Sequence, residues 1–360
     1  MTDPRELRPV PRWLHAWAVL TAVFALVVLV VGGLVTTFRV GMSDPVWPTE
    51  PWFLVVNGWT EPQPGFLIEH THRAVAFGVG GLAVVLSLGL WFTTPNRAAR
   101  TLGVVALLVL IAAFGRFHGQ MMAQKNAETV TLPTDTVVAM GGGLAVAVLL
   151  GVGGVFAGIR GAGVRLLGVV ALVAVMIQGL LGGFRVKLND LVGPDLAMYH
   201  GVFAQVVFGL LVCVAALTAK PAADRTEHTL DRRAHRVAVL LVALIYLQIA
   251  WGAWVRHAGS PLSLRMHFLT AFLVTGAAVW LVRALFAAGR PAGAWVLVGV
   301  LTLQVALGVE AWMGKFSLGI FAVESEKITK MQAWIRTGHL LGGSLLLGAA
   351  VVSAVRTRRA

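Results

Sequence analysis

The chain contains 360 residues, of which 58% are hydrophobic and only 12% are charged. Roughly a quarter of the residues in a soluble domain carry charge, so this composition excludes a soluble globular protein. The net charge of +13 does not predict a nucleic-acid partner, because the basic residues lie mostly in short segments between apolar runs and form no single basic face.

Ten apolar runs follow one another along the chain, and each is long enough to cross a bilayer, which takes ~20 helical residues. They cover residues 14–38, 69–93, 101–121, 134–159, 164–184, 196–218, 235–256, 265–287, 293–313 and 334–355. The first run is too long for the core of a signal peptide and is interpreted as a membrane helix. We therefore predict an all-α polytopic membrane protein, a bundle of about ten transmembrane helices.

The distribution of Lys and Arg predicts the orientation of these helices. Both terminal segments and every second loop carry most of the basic residues, and cytoplasmic segments show such an excess. We predict a cell-membrane protein with both termini in the cytoplasm. The polar, basic segment 219–235 is interpreted as a linker between two pseudo-symmetric halves, residues 1–220 and 221–360.

A repeated hairpin is present within the apolar background. Three outward-running helices carry Gln-x-x-x-Gly near their outer ends, at Gln178–Gly182, Gln248–Gly252 and Gln304–Gly308, and the first helix has Val28 and Gly32 at the matching places. After each glycine the chain forms an outer loop, and a histidine lies near the start of the returning helix; the four are His72, His200, His267 and His339. Small residues often serve only for close packing in membranes, but their recurrence with histidine indicates a functional unit. The runs at 101–121 and 134–159 form a fifth pair without a matching histidine.

The four histidines predict two heme sites. An ionisable side chain within a membrane helix is costly and is usually functional, and imidazole binds heme iron, zinc or copper. A zinc site clusters its ligands and often includes cysteine, whereas these histidines lie on four helices and the single cysteine, Cys213, lies in an apolar run. Facing helices that each donate one histidine suit a flat macrocycle, which pairs His72 with His200 and His267 with His339.

The stretch from Glu69 to Arg73 is the richest in chemistry. Glu69 precedes His72 by three residues and shares its helical face, where a carboxylate can move protons or stabilise positive charge on the macrocycle. The alternative is an exposed residue favoured by the helix dipole. His70 is interpreted as an interfacial residue without a role, and His15 and His235 as solvated residues.

Heme carries two propionates, and arginines on the side of the histidines are candidates to bind them. We select Arg73 and Arg256 as cofactor-binding residues. Snorkelling to the interface is the alternative for each. The other candidates are Arg39, Arg185, Arg265 and Arg336.

Several segments, in the same order along the chain, resemble the heme A synthase family. The similar segments are Gly32–Thr36, Gly41–Pro45 and Trp47–Thr49 in the first helix and loop, Glu69–Arg73 at the family's Glu-x-x-His-Arg motif, and Gln178–Gly183 and Ala253–Ser260 at the outer ends of later helices. The resemblance covers most of the chain except about 100–160. Family members usually have eight spans, so about 100–160 is interpreted as an inserted helix pair.

The resemblance implies a membrane oxidoreductase that converts heme O to heme A by oxidising a porphyrin methyl to a formyl group, for cytochrome oxidase biogenesis. It implies that His72 and His200 ligate the substrate heme, that His267 and His339 ligate a permanent heme B, and that Glu69 is the essential glutamate. The implied partners are a membrane electron donor or acceptor, heme O synthase and cytochrome oxidase. A homo-oligomer is compatible with this interpretation.

Three other functions remain open. A di-heme protein could transfer electrons from quinol without modifying heme, but Glu69 beside a ligand favours the oxidation. A transporter built on repeated hairpins would place polar sites at the midplane, whereas the polar residues here cluster towards one face. An inactive assembly factor of the same family would not need all four histidines and Glu69.

Overall fold

A computed structural model describes residues 10–44, 50, 52–56, 59, 63–124, 131–187, 194–219, 232–315 and 329–358. Within these ranges the chain forms helices and no strands. The helices are α1 (Arg12–Thr37), α2 (Phe53–Val56), α3 (Pro64–Phe92), α4 (Arg97–Ala123), α5 (Thr134–Phe156), α6 (Ala162–Lys187), α7 (Pro194–Thr218), α8 (Arg232–His257), α9 (Pro261–Ala287), α10 (Pro291–Lys315) and α11 (Lys330–Arg358). All except the four-residue α2 are long and apolar enough to cross a membrane, which confirms the predicted polytopic all-α fold.

Nearly every long helix begins a few residues before its predicted apolar run. The difference is largest at α3, which begins at Pro64 instead of residue 69. Proline is favoured in the first helical turn because its φ is already helical and it lacks the N–H that would be unpaired there; α3 and α9 both begin in this way. The apolar run marks the part of a helix inside the hydrocarbon, whereas the helix itself continues into the polar interface.

The eight helices that carry the repeated pattern form two rings. In the N-terminal unit α1, α3, α6 and α7 contact one another in that order around a ring, and in the C-terminal unit α8, α9, α10 and α11 do the same. Contacts of α11 with α1 and α7, and of α7 with α8, join the two units. One apolar core runs through both units, from Leu14 and Leu86 to Leu281 and Leu347.

The first helix of each unit is joined to the last by a histidine. His15 Nδ1 lies 3.1 Å from Thr218 Oγ1 in the N-terminal unit, and His235 Nδ1 lies 3.1 Å from the Ala354 carbonyl oxygen in the C-terminal unit. Both histidines are half-buried and bonded to the protein, which corrects the expectation that they are solvated; His228, for which we expect the same from the sequence, lies outside the described residues. Because the ring closes by packing its first helix on its last, each imidazole meets a polar group of the neighbouring helix.

The pair α4–α5 lies outside the N-terminal ring, where α4 contacts α3 and α5 contacts α6. Its apolar core is separate and includes Trp91 of α3, which is 2% exposed. Trp91 fills the space at Gly103 of α4, where an added Cβ would lie 2.0 Å from its Cε3 atom. This contact helps to pack α4 on the ring, and the interpretation of the pair as an insertion stays a prediction.

We expect Gly103→Ala to destabilise the protein by ~1–3 kcal/mol, because the buried Trp91 ring cannot move away from the new methyl group. The matched control is Gly115→Ala in the same helix, where an added Cβ meets no atom within 4 Å. Thermal unfolding in detergent measures both effects. Equal melting temperatures for the two variants would contradict the packing described.

Candidate functional site

The four histidines meet in two pairs, one inside each ring. The ring centroids of His72 on α3 and His200 on α7 are 6.4 Å apart, with the ring planes at 82°. His267 on α9 and His339 on α11 repeat this arrangement at 6.2 Å and 75°. In each unit the two histidine-bearing helices lie across the ring from one another, so the imidazoles face each other through its centre.

The other two helices of each ring contribute the glycines. A Cβ added at Gly32 would lie 3.0 Å from His72 Cε1, and one at Gly182 would lie 3.3 Å from His200 Cε1. The corresponding distances are 2.9 Å from Gly252 to His267 Cε1 and 2.8 Å from Gly308 to His339 Cε1. The glycine–histidine repeat of the sequence is thus a repeated direct contact, and each imidazole occupies the space that a side chain would otherwise fill.

The C-terminal histidines have a fixed tautomer. His267 Nδ1 lies 3.1 Å from the Gln248 carbonyl oxygen, and His339 Nδ1 lies 3.2 Å from that of Gln304. A carbonyl oxygen only accepts, so Nδ1 donates and the neutral ring keeps its lone pair on Nε2. The Gln248 amide nitrogen, a donor, lies 3.3 Å from His267 Nε2 and fits the same tautomer. Such a bond to the second ring nitrogen orients a metal-ligating imidazole.

The N-terminal histidines lack this carbonyl bond. The Gln178 amide nitrogen lies 3.2 Å from His200 Nδ1 and 3.3 Å from its Nε2, and it also donates to the His200 carbonyl. Val28 takes the glutamine position opposite His72; its carbonyl faces the ring, but His72 Nδ1 lies outside hydrogen-bonding geometry. The imidazoles of the N-terminal pair are therefore bonded differently from those of the C-terminal pair, and His72 Nδ1 is left without a partner.

Each pair has the spacing of two axial ligands. Imidazole nitrogens bind metals at ~2 Å, so two imidazoles on opposite sides of one metal ion have ring centroids ~6 Å apart. In the ranges that the structure describes, no group of three or more His, Cys, Asp and Glu side chains could hold a metal ion. The donor sets are thus pairs of imidazoles, which is the set that a bis-histidine heme uses.

Glu69 is buried in a network of charges at the start of α3. It is 4% exposed, and its Oε2 accepts from the Asp44 backbone N–H at 2.8 Å while its Oε1 accepts from Arg73 Nη2 at 3.0 Å. Arg73 also pairs with Asp44, at 3.3 Å between Nη1 and Oδ2. The alternative of an exposed helix-start residue is wrong for Glu69, because the loop after α1 folds back over it.

His70 is part of the same network, and its interpretation as an interfacial residue is wrong. It is fully buried, its Nδ1 lies 3.4 Å from Asp44 Oδ2, and its ring stacks on Phe66 at 5.2 Å. Phe53 of α2 and Trp59 meet it edge-on, at 5.5 and 5.2 Å between centroids. The short helix α2 and Trp59 thus lie over His70 and the Glu69 network, which helical spacing within α3 alone does not predict.

The candidate arginines differ in their surroundings. Arg73 is neutralised by Asp44 and Glu69. Among the described residues, the acceptors of Arg256 are neutral, Thr37 Oγ1 at 3.4 Å and the Arg336 carbonyl at 3.5 Å. Since Thr37 ends α1 and Arg336 lies in α11, Arg256 spans the two units. The propionate roles of Arg73 and Arg256 stay predictions.

Two residues of the site were missed in the sequence. Asp44 binds both Glu69 and Arg73, and the only signal for it is its place within the segment Gly41–Pro45 that carries the family resemblance. Gly41 lies against the Arg185 guanidinium, where an added Cβ would be 2.0 Å from Nη2. The chain reaches both after leaving α1 through Arg39, which adopts a left-handed backbone with φ 55°.

Comparisons with known proteins bear on this geometry. Residues 135–264 match the model of the COX15-CtaA family, described as cytochrome oxidase assembly protein. No curated protein and no solved structure matches the chain. The matched range begins in α5 and ends in α9, so it includes His200 and the contact glycines Gly182 and Gly252. The family resemblance is confirmed over residues 135–264, a range that is similar to the cytochrome oxidase assembly proteins of the COX15-CtaA family.

Proposed function

We propose that the protein is a heme A synthase-like membrane oxidoreductase, which oxidises a methyl group of heme O to the formyl group of heme A for cytochrome oxidase biogenesis. One observation carries the proposal. The two histidine pairs are alike, but only the N-terminal pair has a buried carboxylate one turn before a ligand, Glu69 before His72. At the equivalent place before His267 the chain has Leu264, so chemistry is assigned to the N-terminal pair.

The C-terminal pair is assigned to a permanent heme B. Its imidazoles are oriented by carbonyl oxygens at Nδ1, and each neutral ring keeps its lone pair on Nε2. Bonds of this kind raise the basicity of a ligating imidazole and the affinity for the metal. His72 Nδ1 has no hydrogen-bond partner, and His200 contacts the Gln178 amide instead of a carbonyl oxygen, which suits a substrate heme O that must enter and a product heme A that must leave.

Glu69 stabilises positive charge on the bound macrocycle. Arg73 and the Asp44 amide bond its two oxygens and hold the carboxylate in place, and a fixed group needs no reorganisation during the reaction. The bound heme supplies the redox chemistry. With water as the oxygen source, conversion of the methyl to a formyl group releases four electrons and four protons, which a membrane electron acceptor and the surrounding water take up.

The proposed location of the site follows from the loop charges. With both termini in the cytoplasm, the histidine pairs and the Glu69 network lie towards the outer face of the cell membrane. Heme O is apolar enough to reach the N-terminal pair from the bilayer. The partners that this reaction requires are heme O synthase, which supplies heme O, and cytochrome oxidase, which receives heme A.

A second candidate function is quinol-linked electron transfer by two hemes without heme modification. The ion pair between Glu69 and Arg73 favours it, since a carboxylate with both oxygens bonded can also serve structure alone. The hemes extracted from the purified protein distinguish the two functions.

We expect the protein purified in detergent to contain heme B together with heme O or heme A. His267→Ala should remove heme B, because one imidazole of the firmly oriented pair is lost, whereas His200→Ala should remove only heme O or A. Optical spectra and chromatography of extracted hemes measure both. Heme B alone would favour electron transfer, and a colourless protein would contradict both functions.

Glu69→Gln should retain both hemes but lower heme A formation ~100-fold or more, since it removes the fixed charge and keeps the side-chain volume. The matched control is Asp135→Asn, which removes an exposed carboxylate paired with Arg116 and should leave turnover unchanged. Heme A formed per bound heme B is the measured quantity. Unimpaired turnover in Glu69→Gln would assign the carboxylate to structure.

Gly252→Ala should lower the heme B content, because the added methyl would lie 2.9 Å from His267 Cε1 and displace the ring. Gly276→Ala, in α9 with no atom within 4 Å of its added Cβ, is the control. The absorbance ratio of heme to protein measures retention. If both variants keep full heme B, the close contact does not position the ligand.

A further inference from the structure

Two arginines lie at similar positions in the repeat. Arg185 follows Gly182 by three residues on α6, and Arg256 follows Gly252 by four residues on α8. Both glycines contact an imidazole. Each unit therefore places one guanidinium a single helical turn outward from a histidine ligand position.

Arg185 is seated on the backbone of the loop after α1. An added Cβ at Gly41 would lie 2.0 Å from Arg185 Nη2, 2.7 Å from Cζ and 2.9 Å from Nη1, so the guanidinium occupies the space of a missing side chain. Arg185 is half-buried in this place. A guanidinium withdrawn from water is costly unless an anion pairs with it, which points to an anion as its partner.

The carboxylates nearby are already bonded. The two oxygens of Glu69 accept from the Asp44 amide and from Arg73. The described residues offer Arg185 no ion pair within 4 Å, whereas Arg73 has two carboxylate partners. Of the two cations beside the N-terminal pair, Arg73 is thus neutralised by the protein, and Arg185 keeps its planar fork of donors for a ligand.

We propose that Arg185, rather than Arg73, binds a carboxylate of the porphyrin held between His72 and His200, and that Gly41 provides the space for it. The inference rests on the proposed function and deepens it, because it fixes how the substrate is oriented. A guanidinium binds a carboxylate through two parallel hydrogen bonds. The propionate edge of the macrocycle then faces the loop after α1, and the Glu69 network lies beside that edge.

The test is a titration of the full-length protein, purified with its C-terminal heme, with ferric protoporphyrin IX or its dimethyl ester. Absorbance changes give the affinity of the N-terminal site, and His200→Ala defines the signal that belongs to it. Arg185→Ala should weaken binding of the diacid ~10- to 100-fold, the range of a charge-assisted hydrogen bond, and leave binding of the diester unchanged. Gly41→Ala should act in the same direction, since it displaces the guanidinium but keeps its charge.

Arg116→Ala, which removes an exposed arginine on α4, is the control and should leave both affinities unchanged. The spectrum of the C-terminal heme reports whether each variant folds. If Arg185→Ala does not fold, Arg185→Lys replaces it in the test. Arg185→Lys should weaken binding of the diacid and not of the diester, because lysine cannot form two parallel hydrogen bonds with a carboxylate. A preference for the diacid that survives in these Arg185 variants would overturn the inference and leave the proposed function intact. No binding that depends on His200 in the unmodified protein would overturn both.

Discussion

The architecture depends on four close contacts between a helix backbone and an imidazole. Gly32, Gly182, Gly252 and Gly308 each leave a space that the neighbouring histidine ring fills. Since a side chain at any of these places would push the ring aside, the glycines set the distance between the helices as well as the position of the histidine. In each ring two such contacts act from opposite sides, and the outcome is a pair of imidazoles about 6 Å apart. A buried imidazole is costly in a membrane, and it is stable here because backbone and glutamine groups on the glycine-bearing helices bond most of the rings.

The two units differ in the surroundings of their histidine pairs. In the C-terminal unit Leu264 precedes His267, and both imidazoles are oriented by carbonyl oxygens. In the N-terminal unit Glu69 precedes His72, Val28 replaces a glutamine, and a loop with Asp44 and α2 covers the helix start. An internal repeat thus supplies two similar pairs of histidines. A few sequence differences give the C-terminal pair imidazoles that carbonyl oxygens orient, and give the N-terminal pair a buried, charged neighbour. This division suits a permanent cofactor and a substrate of the same chemical type.

Much of this arrangement could be predicted from the sequence because it rests on local periodicity. Apolar runs locate the ten long helices, and the recurrence of glycine and histidine at equivalent depths predicts which helices face each other. Contacts made by loops could not be predicted in this way. Asp44 lies 29 residues from Arg73, and nothing in their spacing shows that the loop returns to α3. His70 was misjudged for the same reason, because its aromatic neighbours Phe53 and Trp59 come from outside the helix. His15 and His235 were misjudged because their polar partners lie on the last helix of each ring, and the sequence does not show that the first helix packs on the last.

The join between the two units lies at the histidine pairs. Within α1, Gly32 faces His72 of the N-terminal pair, and the next residue, Gly33, has Thr337 and Leu340 of α11 within 3.7 Å of its added Cβ. Leu340 directly follows His339. One turn of α1 therefore contacts His72 of the N-terminal pair and the residue next to His339 of the C-terminal pair. Arg256 reinforces this join by reaching Thr37 at the end of the same helix. The packing of α1 on α11 therefore sets the distance between the two histidine pairs, and a fixed distance would suit electron exchange between the proposed hemes.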